Sequence, residues 1–119
     1  MARYNHLPVF QLAYAMTLEV HRATDQFPRA YKYGLGQKLK EIISDLLDCI
    51  VAANSKKDKT EILEEARLKL ERLRIHVRLA SDLKILGLTR YEAFSRTSEE
   101  IARQLSGWLE WAGRSSSLP

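Results

Sequence analysis

One long stretch of this sequence, residues 58–87, restricts the fold more than any other part of the chain. It contains no proline and no internal glycine, the two residues that most strongly oppose a helix. Apolar residues recur in it at alternating steps of three and four, and at about 100° per residue they share one face. These residues are Leu63, Ala66, Leu70, Leu73, Val77 and Ala80. The spacing predicts one long helix whose apolar face packs in a bundle.

A second apolar stripe lies nearly opposite the first face of this helix. It consists of Leu68, Ile75, Leu79 and Leu86. Because one core cannot cover two opposite faces of a helix, the second stripe predicts an interface between copies of the chain. The alternative is that a neighbouring helix or loop of the same chain covers it.

The positive charge of the chain is concentrated in the same helix. The whole chain has a net charge of +4 and a pI near 9.3. Residues 66–84 contain six basic and two acidic residues, so this segment alone carries a charge of +4. Arg67, Arg74 and Arg78 follow one flank of the helix between the two stripes. Such a concentration indicates an anionic partner, and the alternative is a solvated helix face.

Three further segments show the periodicity of amphipathic helices, at residues 7–26, 29–54 and 90–112. Together with the long helix, taken as residues 59–86, they predict an all-α fold, an antiparallel up-down-up-down four-helix bundle. We expect a single domain over residues 1–113. Gly87 and Gly113 are predicted to end the third and fourth helices, and residues 114–119 to form a disordered tail.

The composition is that of a soluble protein. Apolar residues make up 45% of the 119 residues and charged residues 29%, which is ordinary for a globular domain. No apolar run reaches the roughly 18 residues that a membrane span needs. The first ten residues lack the charged and apolar segments of a secretory signal. We therefore expect a cytoplasmic protein without a membrane partner.

No pattern typical of a catalytic or metal site occurs in the sequence. The three histidines, His6, His21 and His76, are isolated, and none belongs to a Glu-x-x-His pair of the kind that holds metals in bundles. Cys49, the one cysteine, falls among apolar residues and is expected to be buried and inert. No nucleophile with a nearby base and no glycine-rich phosphate loop can be recognised. We expect no enzymatic activity, no metal and no organic cofactor.

A second basic group lies near the start of the second predicted helix. It contains four basic residues that surround two tyrosines, namely Arg29, Lys32, Lys38 and Lys40 around Tyr31 and Tyr33. Basic residues interleaved with aromatic residues can hold phosphates and stack on exposed bases. The alternative is that the tyrosines fill the end of the bundle.

Three segments taken together resemble a known family. They fall between Phe27 and Trp108 and read FPRAYKYGLGQKL, LRIHVRLASDL and IARQLSGW. In this order they are similar to the accessory variability protein (Avd) of diversity-generating retroelements. That family is part of a wider group of four-helix bundles, which includes proteins encoded in ribosomal RNA intervening sequences.

The resemblance implies a homopentameric barrel of bundles without enzymatic activity. Its basic surface would bind the reverse transcriptase of the element and nucleic acid, either template RNA or cDNA, during mutagenic retrohoming. The matching positions implied for these contacts are Arg29, Arg74, Arg78 and Arg103, and the two basic groups add Lys32 and Arg67. The alternative function is that of the intervening-sequence proteins, a stand-alone oligomeric bundle with an interaction or structural role.

Overall fold

The computed structural model describes residues 4–116, with side chains from Tyr4 to Arg114. A 3₁₀ turn, Tyr4–His6, precedes five α-helices. These are α1 (Pro8–Asp25), α2 (Arg29–Lys32), α3 (Leu35–Ser55), α4 (Thr60–Asp82) and α5 (Leu88–Ser116). Residues 4–116 contain no strand, so the predicted all-α class is confirmed.

The four long helices pack in a ring in the order α1, α3, α4 and α5, and α5 returns to α1. Short connections at residues 56–59 and 83–87 join neighbouring helices, which therefore run antiparallel. The body measures 55 × 27 × 20 Å, as expected of a four-helix bundle. One end of it holds α2, the start of α3 and the α4–α5 turn, and it is called the α2 end below. None of the helices described here is long and apolar enough to cross a membrane.

The core consists of the apolar faces that the periodicity predicts. All six residues of the first stripe of α4 are at most 4% exposed. Opposite them lie large side chains of α3 and α5 that are fully buried, including Ile42, Leu46, Ile50, Ile101 and Leu105. Each aliphatic side chain of this size contributes roughly 1.5–3 kcal/mol when it is buried. These faces therefore supply the main stabilising contacts of the fold.

The second predicted helix is broken, contrary to the expectation of one helix over residues 29–54. The short α2 ends at Lys32, and Gly34 has φ −100° and ψ −92°, a backbone conformation outside the helical region. The break turns the chain between α2 and α3 and leaves Tyr33 at the turn.

Helix α4 ends at Asp82 and not at residue 86 as expected. The Lys84 N–H donates to the Ser81 carbonyl at 2.9 Å, and the Ile85 N–H donates to the Ala80 carbonyl at 3.1 Å. These two bonds form a Schellman motif, which satisfies carbonyls that the end of a helix leaves without partners.

The left-handed residue of this motif is Lys84, with φ 62°, and not Gly87 as predicted. No glycine among the described residues has a positive φ. Gly87 precedes α5, where its carbonyl accepts a hydrogen bond from the Tyr91 N–H. After the turn the chain folds back over the core, and Leu86 becomes buried with 6% exposure.

Helix α5 is longer at both ends than residues 90–112. It continues through Gly113 to Ser116, so the expected disordered tail is wrong for residues 114–116. A helical glycine costs only about 1 kcal/mol relative to alanine, and Ala112 beside it is still buried in the core. The remaining residues of the expected tail, 117–119, lie outside the described part of the chain.

A lysine organises the connection between α3 and α4. The Lys59 ammonium group donates to the carbonyls of Ala53, Asn54 and Lys56, with a distance of 2.7 Å to Ala53. Positive charge is favourable at the C-terminus of a helix, where backbone carbonyls lack partners. Lys59 therefore caps α3 from the first position before α4.

Candidate partner and nucleic-acid interface

Two of the predicted arginines share a groove between α4 and α5. Arg74 and Arg78 line it from α4, and Tyr91, Ser95 and Ser98 are among the residues that line it from α5. Its volume is about 250 Å³, and we call it the arginine groove. Spacing of four residues on α4 places both guanidinium groups on the same flank of the helix.

Arg67 lies in a second groove between the same helices, nearer to the α3–α4 connection. This groove has a volume of about 240 Å³ and is also lined by Leu68, Glu64, Ala102 and Ser106. The small side chains of Ala102 and Ser106 leave the space open. Both grooves on the flank of α4 that carries the predicted arginines are therefore formed with the neighbouring helix α5.

Each of these arginines, and Arg103, is paired with a carboxylate three or four residues away on its own helix. The pairs are Arg67–Glu64 at 3.1 Å, Arg74–Glu71 at 3.5 Å, Arg78–Asp82 at 3.8 Å, and Arg103–Glu100. Exposed ion pairs of this kind contribute less than about 1 kcal/mol each. The arginines are thus partly neutralised, and an incoming phosphate can replace their present partners at little cost.

Arg103 does not join the arginine groove. It projects from the outward face of α5 in a group with Arg96, Glu99 and Glu100. The structure of one chain therefore brings Arg74 and Arg78 together and leaves Arg103 on a different surface.

The two predicted residues of α2 lie at the α2 end and differ in their surroundings. Lys32 Nζ lies 3.4 Å from Asp25 Oδ1 at the end of α1. Arg29 is exposed and makes no ion pair within residues 4–116. Arg78 approaches this same end, because α4 reaches it in its last turn.

The second apolar stripe of α4 is exposed for three of its four predicted members. Leu68 is 66%, Ile75 62% and Leu79 44% exposed. Leu86 does not belong to this surface, because α4 ends before it and the turn directs it into the core of its own chain. Leu83, which the sequence analysis did not assign to the stripe, is 40% exposed. We call Leu68, Ile75 and Leu79 the exposed stripe.

Four cations at the α2 end have no ion pair among the described residues, and sequence reasoning assigned two of them, Lys84 and Arg90, to no site. They are Arg29, Lys38, Lys84 and Arg90, called the α2-end cations below. Arg29 and Lys38 had been recognised as basic residues, but not as unpaired ones. For Lys84 and Arg90 the sequence does hold a signal, because neither has an acidic residue three or four positions away. The net positive charge of the bundle is therefore less compensated at this end than along α4.

Cys49 is buried among apolar side chains, as predicted. Burial raises the pKa of the Cys49 thiol above its ordinary value, and the nearby Glu65 carboxylate adds to the shift. A protonated thiol is a poor nucleophile. In the part of the chain that the structure describes, no three His, Cys, Asp or Glu side chains are grouped in a way that could hold a metal ion. Independence from metals and cofactors stays a prediction.

A family model described as bAvd-like matches residues 9–112 of the chain. The match extends from the first turn of α1 to the last turns of α5 and includes every predicted binding residue. A search of curated proteins finds no match.

Proposed function

The chain belongs to the bAvd-like family, and we therefore propose that it is a non-catalytic accessory protein of a diversity-generating retroelement. The observation that carries the proposal is the family match over residues 9–112. Accessory variability proteins are of a non-catalytic type. In this proposal the protein binds the reverse transcriptase and the template RNA or its cDNA, and so supports mutagenic reverse transcription in the cytoplasm.

The arginine groove is the part of the surface that we assign to these partners. The side chains of Arg74 and Arg78 are 39% and 76% exposed, and both make only weak pairs with carboxylates of α4. A phosphate or an acidic protein surface offers the same charge as these carboxylates and more hydrogen-bond acceptors. Exchange of partners therefore requires no change in the fold of the bundle.

We propose that a second copy of the chain covers the exposed stripe. Leu68, Ile75 and Leu79 recur on the outward face of α4 at steps of seven and four residues, which is the spacing of a helix seam. Family membership supports a closed ring, and the resemblance implies a pentamer. A ring repeats the basic groups of one chain, so a modest charge per chain gives strong binding of a polyanion through avidity.

The experiment is a paired charge reversal, Arg74→Glu with Arg78→Glu. The expected result is weaker binding of RNA and of the reverse transcriptase, measured by titration and by pull-down, with unchanged helicity and oligomer size. The matched control is Arg22→Glu with Arg114→Glu. These two arginines also pair with carboxylates on their own helices, α1 and α5, and the net charge changes by the same amount.

Retention of both activities by the Arg74→Glu, Arg78→Glu variant would contradict the assignment of the site. The favoured function would then be the alternative, a stand-alone oligomeric bundle. The observation that supports this alternative is the pairing of each α4 arginine with a carboxylate of its own helix, which is also found on a solvated helix face. Equal loss in the control variant would show that total charge, and not the arginine groove, governs binding.

A further inference from the structure

Two tyrosines of the α2 segment lie in opposite environments although they are two residues apart. Tyr31 is partly buried and packs against the hydrophobic core. Tyr33 is 75% exposed, which makes it the most exposed of the large hydrophobic side chains that the structure describes. The sequence allowed two roles for these tyrosines, stacking on bases and filling the end of the bundle, and the structure is compatible with a different role for each. Tyr31 fills the end of the bundle, and Tyr33 presents its ring to the solvent.

The position of Tyr33 follows from the break between α2 and α3. Tyr33 is the C-cap residue directly after α2, with φ −93° and ψ −7°, and Gly34 turns the chain after it. Tyr31 of α2 and Leu35 of α3 are partly buried, and both pack against the hydrophobic core. The chain is therefore held against the core on both sides of Tyr33.

Unpaired positive charges lie at the same end of the bundle. Arg29 and Lys38 lie four and five residues from Tyr33 on the helices that flank it. Lys84 is exposed in the α4–α5 turn, and Arg90 is half-buried in the first turn of α5, at the same end. None of these cations makes an ion pair within residues 4–116, so each can contact a phosphate without giving up another partner.

The size of this end limits the ligand that it can hold. The cross-section of the bundle is 27 × 20 Å. A stacked strand rises about 3.4 Å per nucleotide, so roughly eight nucleotides span the longer dimension. An exposed aromatic ring can stack on a base only where that base is not already paired inside a duplex. Aromatic exposure together with unpaired cations therefore favours a single strand.

We propose that the α2 end binds single-stranded nucleic acid, with one base stacked on Tyr33 and the phosphates held by the α2-end cations. This inference rests on the proposed function and deepens it, because it separates a single-strand site at the end of the bundle from the arginine groove along α4. Stacking is tolerant of sequence, since every base has a π-face. The site would hold unpaired template or newly made cDNA without selecting its sequence.

The experiment compares binding of a labelled ten-nucleotide oligo(U) and a ten-base-pair duplex by fluorescence anisotropy at fixed salt. Tyr33→Ala is expected to lower the affinity for oligo(U) by about 5- to 150-fold, the range for loss of one base stack, and to leave duplex binding unchanged. Tyr33→Phe keeps the ring and should retain the affinity. The matched control is Tyr14→Ala, which removes another exposed tyrosine from the side of α1.

The cations are tested by the salt dependence of oligo(U) binding. Replacing Lys84 and Arg90 by glutamine should reduce the slope of log K against log salt by about one for each residue.

Unchanged oligo(U) affinity in Tyr33→Ala, or an equal loss of affinity for oligo(U) and for the duplex, would overturn the proposal that a base stacks on Tyr33.

A pull-down of the reverse transcriptase by Tyr33→Ala separates this inference from the proposed function. The polymerase should be retained, because the arginine groove is intact. If the unmodified protein pulls down the polymerase but Tyr33→Ala binds oligo(U) normally, the end-site inference is wrong and the accessory function stands. If the unmodified protein binds neither polymerase nor nucleic acid, the accessory function itself is wrong.

Discussion

Ser98 Oγ lies 3.9 Å from Met16 Sδ, and this contact joins α5 to α1 inside the core. Ser98 is 2% exposed and lies on the face of α5 that buries Phe94, Ile101 and Leu105. A thioether sulfur is a weak acceptor, so the hydroxyl group loses water and gains little in return. The contact therefore marks a place where the core is less stable than an apolar side chain would make it.

Replacing Ser98 with alanine is expected to raise the free energy of unfolding by about 0.5–1 kcal/mol, since alanine removes a poorly bonded hydroxyl and has a higher helix propensity. Urea denaturation measures the change. Ser95→Ala, at a partly buried position of the same helix, controls for propensity alone. A loss of stability in Ser98→Ala would show that the hydroxyl makes a stronger hydrogen bond in solution.

The pH dependence of stability should report on Cys49. Its thiol pKa is raised in the folded protein above the ordinary 9.0, so the unfolded chain loses the proton first as the pH rises. The stability that the buried thiol contributes is therefore complete below about pH 8 and declines above pH 9, by at most about 1.4 kcal/mol per pH unit. Comparing unfolding of Cys49→Ala and the unmodified protein from pH 7 to 10.5 isolates this contribution. A difference that stays constant over the whole range would contradict a buried, protonated thiol.

The exposed stripe should determine the oligomeric state. Changing Ile75 and Leu79 to glutamate is expected to give soluble, helical monomers, because each interface of the proposed ring would then have to bury two added carboxylates. Light scattering and circular dichroism measure mass and helicity. Leu18→Glu, at a position 42% exposed on α1, is the matched control and should leave the oligomer intact. A monomeric mass for the unmodified protein in light scattering would contradict the proposed interface.

Nucleic-acid binding should depend steeply on salt and weakly on sequence. If the assembled protein neutralises about six phosphates, the affinity should fall by about a thousand-fold between 50 and 200 mM salt. Phosphate contacts position a strand but do not specify its sequence. Titrations of RNAs of unrelated sequence at several salt concentrations measure both properties. A flat salt dependence would indicate a partner other than a polyanion.

The sequence predicted the helices and their buried faces because burial follows the helical period closely. Every residue of the first stripe of α4 is in the core, as are Val9, Ala13, Met16, Val20 and Ala23 of α1. Such a pattern repeats over many turns, so single exceptions do not disturb it.

Turns were harder to predict because each depends on one or two residues whose backbone angles tertiary contacts can override. Gly87 was the expected left-handed residue, yet Lys84 is the residue that adopts this conformation. The turn that follows Lys84 buries Leu86 in the core. Gly34 breaks the second helix, whereas Gly113 remains inside the last one. Composition alone does not distinguish these glycines.

The candidate site could be predicted in its residues but not in its grouping. The sequence indicated Arg74 and Arg78 on one flank, and the structure places them in one groove. It could not show that Arg103 lies on a different surface from that groove. Nor could it show that Tyr31 packs against the core while Tyr33 is exposed. Those facts depend on how neighbouring helices are rotated, which no local pattern records.

At Lys84 the left-handed backbone favours glycine for stability, whereas the positive charge of the α2 end favours lysine. A side chain with a Cβ atom costs roughly 1–2 kcal/mol in this conformation, so Lys84→Gly should make the α4–α5 turn more resistant to heat. The same change would remove one of the unpaired cations of the α2 end. An engineer who optimised this protein for thermal tolerance alone would therefore choose glycine at residue 84, and that choice would weaken the nucleic-acid binding proposed for the α2 end.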